Sequence, residues 1–159
     1  MAGRSSPRLE PETALRAGPF RLRDGAKGLV TSASKVLLVR ERHADGTPFW
    51  TLPGGGVHRS ECPTEGLRRE LAEELNCRAH IGRPVTTFWY AHDSLDDTVS
   101  AYTVFDCALL SEPDADQREG VFECRWVDPE TLPASTLPQV RHVCRHVADL
   151  SSPSAASDD

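Results

Sequence analysis

Apolar residues fall into short blocks along the chain, and the spacing within each block predicts what it forms. Residues 26–31 are an apolar run, Ser32-Ala33-Ser34 supplies a turn, and Val36-Leu37-Leu38-Val39 follows before a charged stretch. Together these predict a β-hairpin. An Asp45-Gly46 turn leads into a short strand, Phe49-Trp50-Thr51-Leu52, which ends at Pro53-Gly54-Gly55-Gly56. The period then changes: Leu67, Leu71 and Leu75 recur every four residues, so 63–75 is predicted to be a helix with one apolar stripe. Residues 85–91 and 98–110 are rich in β-branched and aromatic types on either side of a polar turn at 92–97, and 121–127 predicts a further strand. Asp128-Pro129-Glu130 predicts the start of a short helical turn, and Val140, Val143, Val147 and Leu150 give 137–150 helical spacing. Strands on both sides of a mid-chain helix, with a second helix last, predict an α/β fold, an α/β/α sandwich around a central mixed sheet.

Composition narrows the picture at the two ends. Residues 1–19 are rich in Pro, Arg and Ser, with a short helix predicted at 9–17, and 151–159 reads Ser-Ser-Pro-Ser-Ala-Ala-Ser-Asp-Asp, so both are expected to be mobile tails. One domain is expected over 20–150 of the 159 residues. The first 19 residues lack the apolar core of a signal peptide, no window is apolar enough to span a membrane, and the five cysteines are odd in number and scattered. A cytoplasmic protein with reduced thiols is the expectation. The net charge of −6, with no basic run, argues against a nonspecific grip on nucleic acid or on an anionic membrane. An acidic protein that handles phosphates must recruit cations to do so.

The chemistry is concentrated in residues 55–77, GGVHRSECPTEGLRRELAEELNC. On a helix Glu73 lies about 60° to one side of Glu70 and Glu74 about 40° to the other, so the three carboxylates share one strip, roughly 100° from the leucine stripe. The leucines can then pack on a sheet while the carboxylates line its rim. Like charges so close repel, and a hard divalent cation held through oxygen, Mg²⁺ above all with Mn²⁺ as a substitute, is the usual way to neutralise them. The three glycines at 54–56 let the backbone approach where any Cβ would obstruct. Two features bear on stability: Cys62 is a poor cap before Pro63, although Glu65 stands in the capping-box position, and Gly66 lies inside the helix, each expected to cost about 1 kcal/mol.

This segment resembles the Nudix box, GX5EX7REUXEEXGU with U a bulky apolar residue. Gly55, Glu61, Arg69, Glu70, Leu71, Glu73, Glu74 and Cys77 stand at the motif positions, and the one departure is Asn76 in place of Gly. That position would be left-handed, a conformation Asn tolerates best among non-glycine residues. The resemblance implies the Nudix fold and a hydrolase, a pyrophosphohydrolase that lets water cleave a phosphoanhydride in a nucleoside diphosphate linked to another group. It implies metal binding by Glu70, Glu73 and Glu74, with the Gly54 carbonyl as a further ligand, and an Arg69–Glu61 pair pinning the loop to the helix. It also points to an acidic residue before the last strand, Glu119 first and Glu123 second, as an additional ligand or proton acceptor.

The resemblance leaves the substrate open. A small nucleotide, either a nucleoside triphosphate or a sugar nucleotide of the ADP-ribose type, is the expectation, and the lack of a basic surface argues against capped RNA. Phe49, Trp50, Phe88, Trp89 and Tyr90 are candidates to stack a base. Homodimerisation accords with the resemblance. Two rival readings are a nucleotide-sensing module that does not turn over and a diphosphate isomerase on the same fold. His142 and His146 lack a third ligand nearby in sequence and are read as structural.

Overall fold

The hairpin expected from the first two apolar blocks is β1 (Arg21–Ser32) and β2 (Lys35–Arg42), with Thr31 opposite Val36 and Ser32 opposite Lys35. Its two turn residues, Ala33 and Ser34, are both at positive φ, as a tight hairpin linking right-twisted strands requires. The computed structural model describes residues 21–92 and 97–151, with side chains to 148. The predicted tail and helix before residue 20, nearly all of the tail at 151–159, and residues 93–96 lie outside the described residues.

The remaining elements are β3 (Pro48–Thr51), β4 (Gly54–Gly56), helix α1 (Pro63–Leu75), β5 (Ala79–Ala91), β6 (Thr98–Leu109), β7 (Glu123–Val127) and helix α2 (Pro138–Ser151). The strands run in the order β3-β2-β1-β6-β5, with β4 on β1 and β7 on β2. Among the described strands β1 and β6 pair in parallel and the other pairs are antiparallel, so the sheet is mixed, as expected.

Several boundaries differ from the sequence reading. The glycine run is itself a strand, paired with β1 through Gly25–Gly56, Ala26–Gly55 and Lys27–Gly54. Strand β5 starts at Ala79, six residues earlier than its apolar block; Pro84 cannot donate to the ladder, and the register shifts on both sides of it. Residues 121–122 precede β7, and residues 128–131 form a turn closed by Thr131 N–H to the Asp128 carbonyl, with Asp128 Oδ1 accepting from Glu130 N–H. The Asp128 side chain thus caps this turn as it would a helix start, but the chain does not continue into a helix.

Strand β2 shows how the layers form. Leu37 and Val39 face α1 with Ala26, Val30, Leu67, Leu71 and Leu75, whereas Val36 and Leu38 face α2 with Leu29, Val140, Val143 and Cys144. A strand buried on both faces reads as a continuous apolar run rather than an alternation. The two clusters make the three-layer sandwich, and no described helix is long and apolar enough to cross a membrane.

Helix α1 is held at both ends. Glu65 accepts from the Cys62 N–H at 2.9 Å, an arm of the capping box that Cys62 and Glu65 form although the cap residue is a thiol. Gly66 has a packing role: a Cβ there would lie 3.1 Å from Glu61 Oε1 and 3.2 Å from Val57, so glycine lets the preceding loop settle on the helix. Asn76 closes the helix at φ 50°, ψ 38° and donates its side-chain amide to the Asp114 carbonyl at 3.0 Å. Asn76→Ala keeps the left-handed strain and loses this bond. It is expected to lower stability by about 1–2 kcal/mol, measured by urea unfolding, with Asn76→Gly closer to the native value.

Candidate active site

Strand β4 and the loop that follows it carry the backbone onto α1. Gly54 has φ 131°, and a Cβ there would overlap the Ala26 carbonyl; a Cβ on Gly55 would lie 2.8 Å from the Glu70 carboxyl carbon. The glycines are therefore where β1, β4 and the helix carboxylates meet. Gly54 N–H donates to Glu74 Oε1 at 3.0 Å, and Glu74 is 7% exposed. Burial drives the Glu74 carboxyl well above its ordinary pKa; Lys27 and the Gly54 bond oppose the rise, while Glu41 and Glu70 add to it.

Arg69 organises the other side. Its guanidinium donates to both oxygens of Glu61 at 2.6 and 3.0 Å, to the Gly56 carbonyl at 2.9 Å, and to Glu70 and Glu73 at 3.1 Å each. The Arg69–Glu61 pair that the resemblance implied is thus present in bidentate form. Glu61 Oε1 also accepts from His58 N–H at 2.8 Å, and these bonds, Arg69 first, hold the Glu61 carboxyl down at about 2. A depressed carboxyl stabilises the fold above its unfolded pKa and loses that contribution as pH falls through the folded value. The melting temperature of the wild type should therefore exceed that of Glu61→Gln at pH 7 and pH 5, and the two curves should converge as pH approaches 2.

Among the described residues, no three His, Cys, Asp or Glu side chains are closed around a common point. Arg69 Nη1 bonds both Glu70 and Glu73, and Glu74 is turned to the Gly54 amide. The donor set nonetheless suits a hard divalent cation: three carboxylates and a backbone carbonyl, all oxygen, against glycines whose missing Cβ atoms leave the space open. Glu119 lies in a 3₁₀ turn (Gln117–Glu119) whose approach is tied to the end of α1 by Asp116 N–H to the Glu74 carbonyl and Asp114 N–H to the Leu75 carbonyl. Its segment is delivered to the helix, but its side chain is exposed. Glu123, the second choice, is engaged by Arg125 at 2.8 Å and Arg40 at 3.8 Å on the sheet.

Two residues escaped the sequence reading. Lys27 on β1 is 5% exposed, donates Nζ to the Gly54 carbonyl at 3.1 Å, and lies 4.8 Å from the centre of the Tyr102 ring. Glu41, at the end of β2, is influenced most by burial, which raises its pKa, then by Lys27, which lowers it. Lysine within an apolar strand run was the available signal for the first; no pattern marked Glu41. Both line a cavity of about 90 Å³ whose other walls include Phe49, Phe88, Tyr90, Tyr102 and Leu137. Three of the five stacking candidates, Phe49, Phe88 and Tyr90, are therefore in this cavity. Trp50 is sealed in the core under Arg125, and Trp89 is 58% exposed. A larger cleft of about 630 Å³, lined by Arg23, His58 and Arg59, opens beside the loop before α1.

All five cysteines are free, and burial pushes Cys77 and Cys144 up to about 11 and Cys107 to about 12, which makes these three poor nucleophiles.

Comparison with known proteins gives a consistent result. The NUDIX domain family matches residues 21–147. A nucleoside triphosphatase NudI from Enterobacter sp. (strain 638) is 33% identical over 91 residues, 52% of this chain and 64% of its own length. The chain thus covers slightly less than two thirds of these curated relatives. An RNA pyrophosphohydrolase from Acidiphilium cryptum is 27% identical over 152 residues, 86% of this chain and 92% of its own. Among solved structures, a MutT NUDIX hydrolase from Burkholderia pseudomallei superposes with a TM-score of 0.70 at 20% identity, covering 79% of this chain and 97% of that one. At that identity the likeness concerns the fold.

Proposed function

The chain belongs to the NUDIX family, and from that premise we propose that it is a Mg²⁺-dependent pyrophosphohydrolase that cleaves a phosphoanhydride in a small nucleotide. The observation that carries the reading is the meeting of two features at one point. The oxygen donor set of Glu70, Glu73, Glu74 and Gly54 adjoins, through Lys27 and Glu41, a cavity walled by Phe49, Phe88 and Tyr90. A nucleotide has both halves of that chemistry, a flat aromatic base and a polyanionic phosphate chain.

In this reading Glu70, Glu73, Glu74 and the Gly54 carbonyl hold the cation, which when bound supplies charge neutralisation to the phosphates and acidifies water. The chain's own groups do the rest. Arg69 and Glu61 fix the loop so that Gly54 and Gly55 keep their distance from the helix, and the aromatic side chains bind the base and exclude water from one end of the substrate. Glu119, exposed in its turn, is the candidate proton acceptor. The free cysteines accord with a cytoplasmic setting. Nucleoside triphosphates lead the substrate list because the similar NudI proteins carry that name. The likeness to RNA pyrophosphohydrolases over most of the chain adds a 5′-triphosphorylated oligonucleotide to what should be tried, against the unfavourable net charge of −6.

The test is a panel with Mg²⁺: nucleoside triphosphates, ADP-ribose, UDP- and GDP-sugars, diadenosine polyphosphates and a 5′-triphosphorylated oligonucleotide, with products identified by mass. Two phosphate-bearing fragments, abolished by chelator, are the expected result. Absence of turnover with a nucleotide still raising the melting temperature would replace the hydrolase with a sensor, and a product of unchanged mass would replace it with an isomerase.

A further inference from the structure

The chain has sixteen arginines but only two lysines, and one of the two is buried. Lys35 sits exposed at the hairpin turn, whereas Lys27 lies on β1 among Ala26, Gly28, Leu29 and Val30, all buried. Burying an ammonium costs several kcal/mol unless opposite charge and hydrogen bonds compensate. The compensation here is specific. Nζ donates to the Gly54 carbonyl at 3.1 Å, the Tyr102 ring lies beneath it, and Glu41, Glu74 and Glu70 surround it closely enough to favour its charged form. These are the same groups that the proposed function gives to the divalent cation: the carbonyl and two of the three helix carboxylates.

We propose that Lys27 is a positioning residue that acts as a built-in placeholder cation, holding Gly54 and, through it, the buried Glu74 carboxylate in place without metal and yielding the Gly54 carbonyl when a divalent ion binds. Arg69 plays the matching part on the outer carboxylates, Glu70 and Glu73, but it is anchored by Glu61 and the Gly56 carbonyl and has bonds to keep if those two turn away. Among the described residues, the hydrogen bond of the Lys27 ammonium is to the shared carbonyl. A fixed positive charge beside the site also opposes entry of a second one, so Lys27 lowers affinity for the divalent ion while keeping the metal-free protein folded. The inference rests on the metal-binding reading above, and the test separates the two.

The experiment uses the full chain without substrate, measuring Mg²⁺ affinity by calorimetry and melting temperature with chelator or with excess Mg²⁺. For Lys27→Met the expected result is a lower melting temperature in chelator, together with Mg²⁺ binding about tenfold tighter than wild type, since a unit charge a few ångströms away is removed. Lys27→Arg, which keeps the charge, should restore an affinity near wild type. A Lys27→Met protein that is less stable but binds Mg²⁺ no more tightly would reduce Lys27 to a packing role and overturn the proposal. Should Lys27→Met fail to fold, the wild type supplies the same answer through its two lysine ammonium ¹⁵N resonances. Mg²⁺ should move the one from Lys27 and leave that of Lys35 in place, and an unmoved Lys27 signal at saturation would refute the exchange. A wild type that binds no Mg²⁺ by calorimetry would instead remove the metal reading, and this inference with it.

Discussion

Glu74→Gln should lose at least about two orders of magnitude in kcat/KM on whichever nucleotide the wild type cleaves, and should do so without unfolding. The substitution is nearly isosteric. The amide oxygen can still accept from Gly54 N–H, which now bonds Glu74 Oε1 at 3.0 Å, and the side chain stays buried. What disappears is a negative charge, and burial already disfavours that charge in the metal-free protein. Relief of desolvation and loss of a compensating charge beside Lys27 oppose each other, so the melting temperature in chelator should stay near that of the wild type. Activity would then collapse while the fold holds. Near-normal turnover in a folded Glu74→Gln protein would take the helix carboxylates out of the chemistry.

Gly54→Ala is expected to be the most damaging single change to the fold near the site. The residue has φ 131°, outside the range an L side chain accepts readily, and the new Cβ would be driven into the Ala26 carbonyl and lie 2.8 Å from Lys27 Cα. Both obstacles are backbone, so neither can swing aside. Backbone strain and overpacking together come to about 3 kcal/mol or more, a fall of roughly 6–12 °C in melting temperature for a chain of this size. Gly46→Ala is the control: φ is 91°, but nothing lies within 4 Å of the added carbon, so only the strain of about 1 kcal/mol remains. Equal losses in the two variants would show that crowding at the junction of β1 and β4 contributes nothing.

The parts of this protein legible in its sequence were those set by one periodicity acting alone. Helix α1 runs over the predicted 63–75 because the four-residue leucine repeat, the proline after Cys62 and Asn76 at the end all specify the same boundaries. The hairpin was equally plain from its two apolar runs. What could not be read was pairing that depends on remote partners. Three glycines have no strand propensity, and β4 exists because β1 offers Gly25, Ala26 and Lys27 as hydrogen-bonding partners across a gap too narrow for side chains. The early part of β5 is likewise recruited by β6 despite Pro84.

The site divides in the same way. The helix carboxylates were legible from their spacing on one strip, and the Arg69–Glu61 pair from the resemblance to the Nudix box. Lys27 and Glu41 were not, since their importance comes from two strands meeting α1 at Gly54, a relation that no local spacing encodes. Cys62 and Gly66, which look like defects in the helix when read alone, have partners in the fold, the one through Glu65 and the other through the loop it admits.

The sheet keeps two kinds of side chain on opposite sides. Leu67, Leu71 and Leu75 bind the carboxylate helix to one face, while Phe88, Tyr102 and Val104 belong to the cluster on the other, with α2. Lys27 reaches both, donating to the Gly54 carbonyl and lining the cavity beside Glu41. On the proposed function, reactivity and choice of substrate are therefore written on separable surfaces. On that reading Tyr90 and Leu137, half-buried in the cavity wall, could be exchanged for residues of other size or polarity, whereas Phe49 and Phe88, buried in the core, admit only apolar replacements of similar volume. A library built within those bounds is the natural starting point for altering which nucleotide is taken.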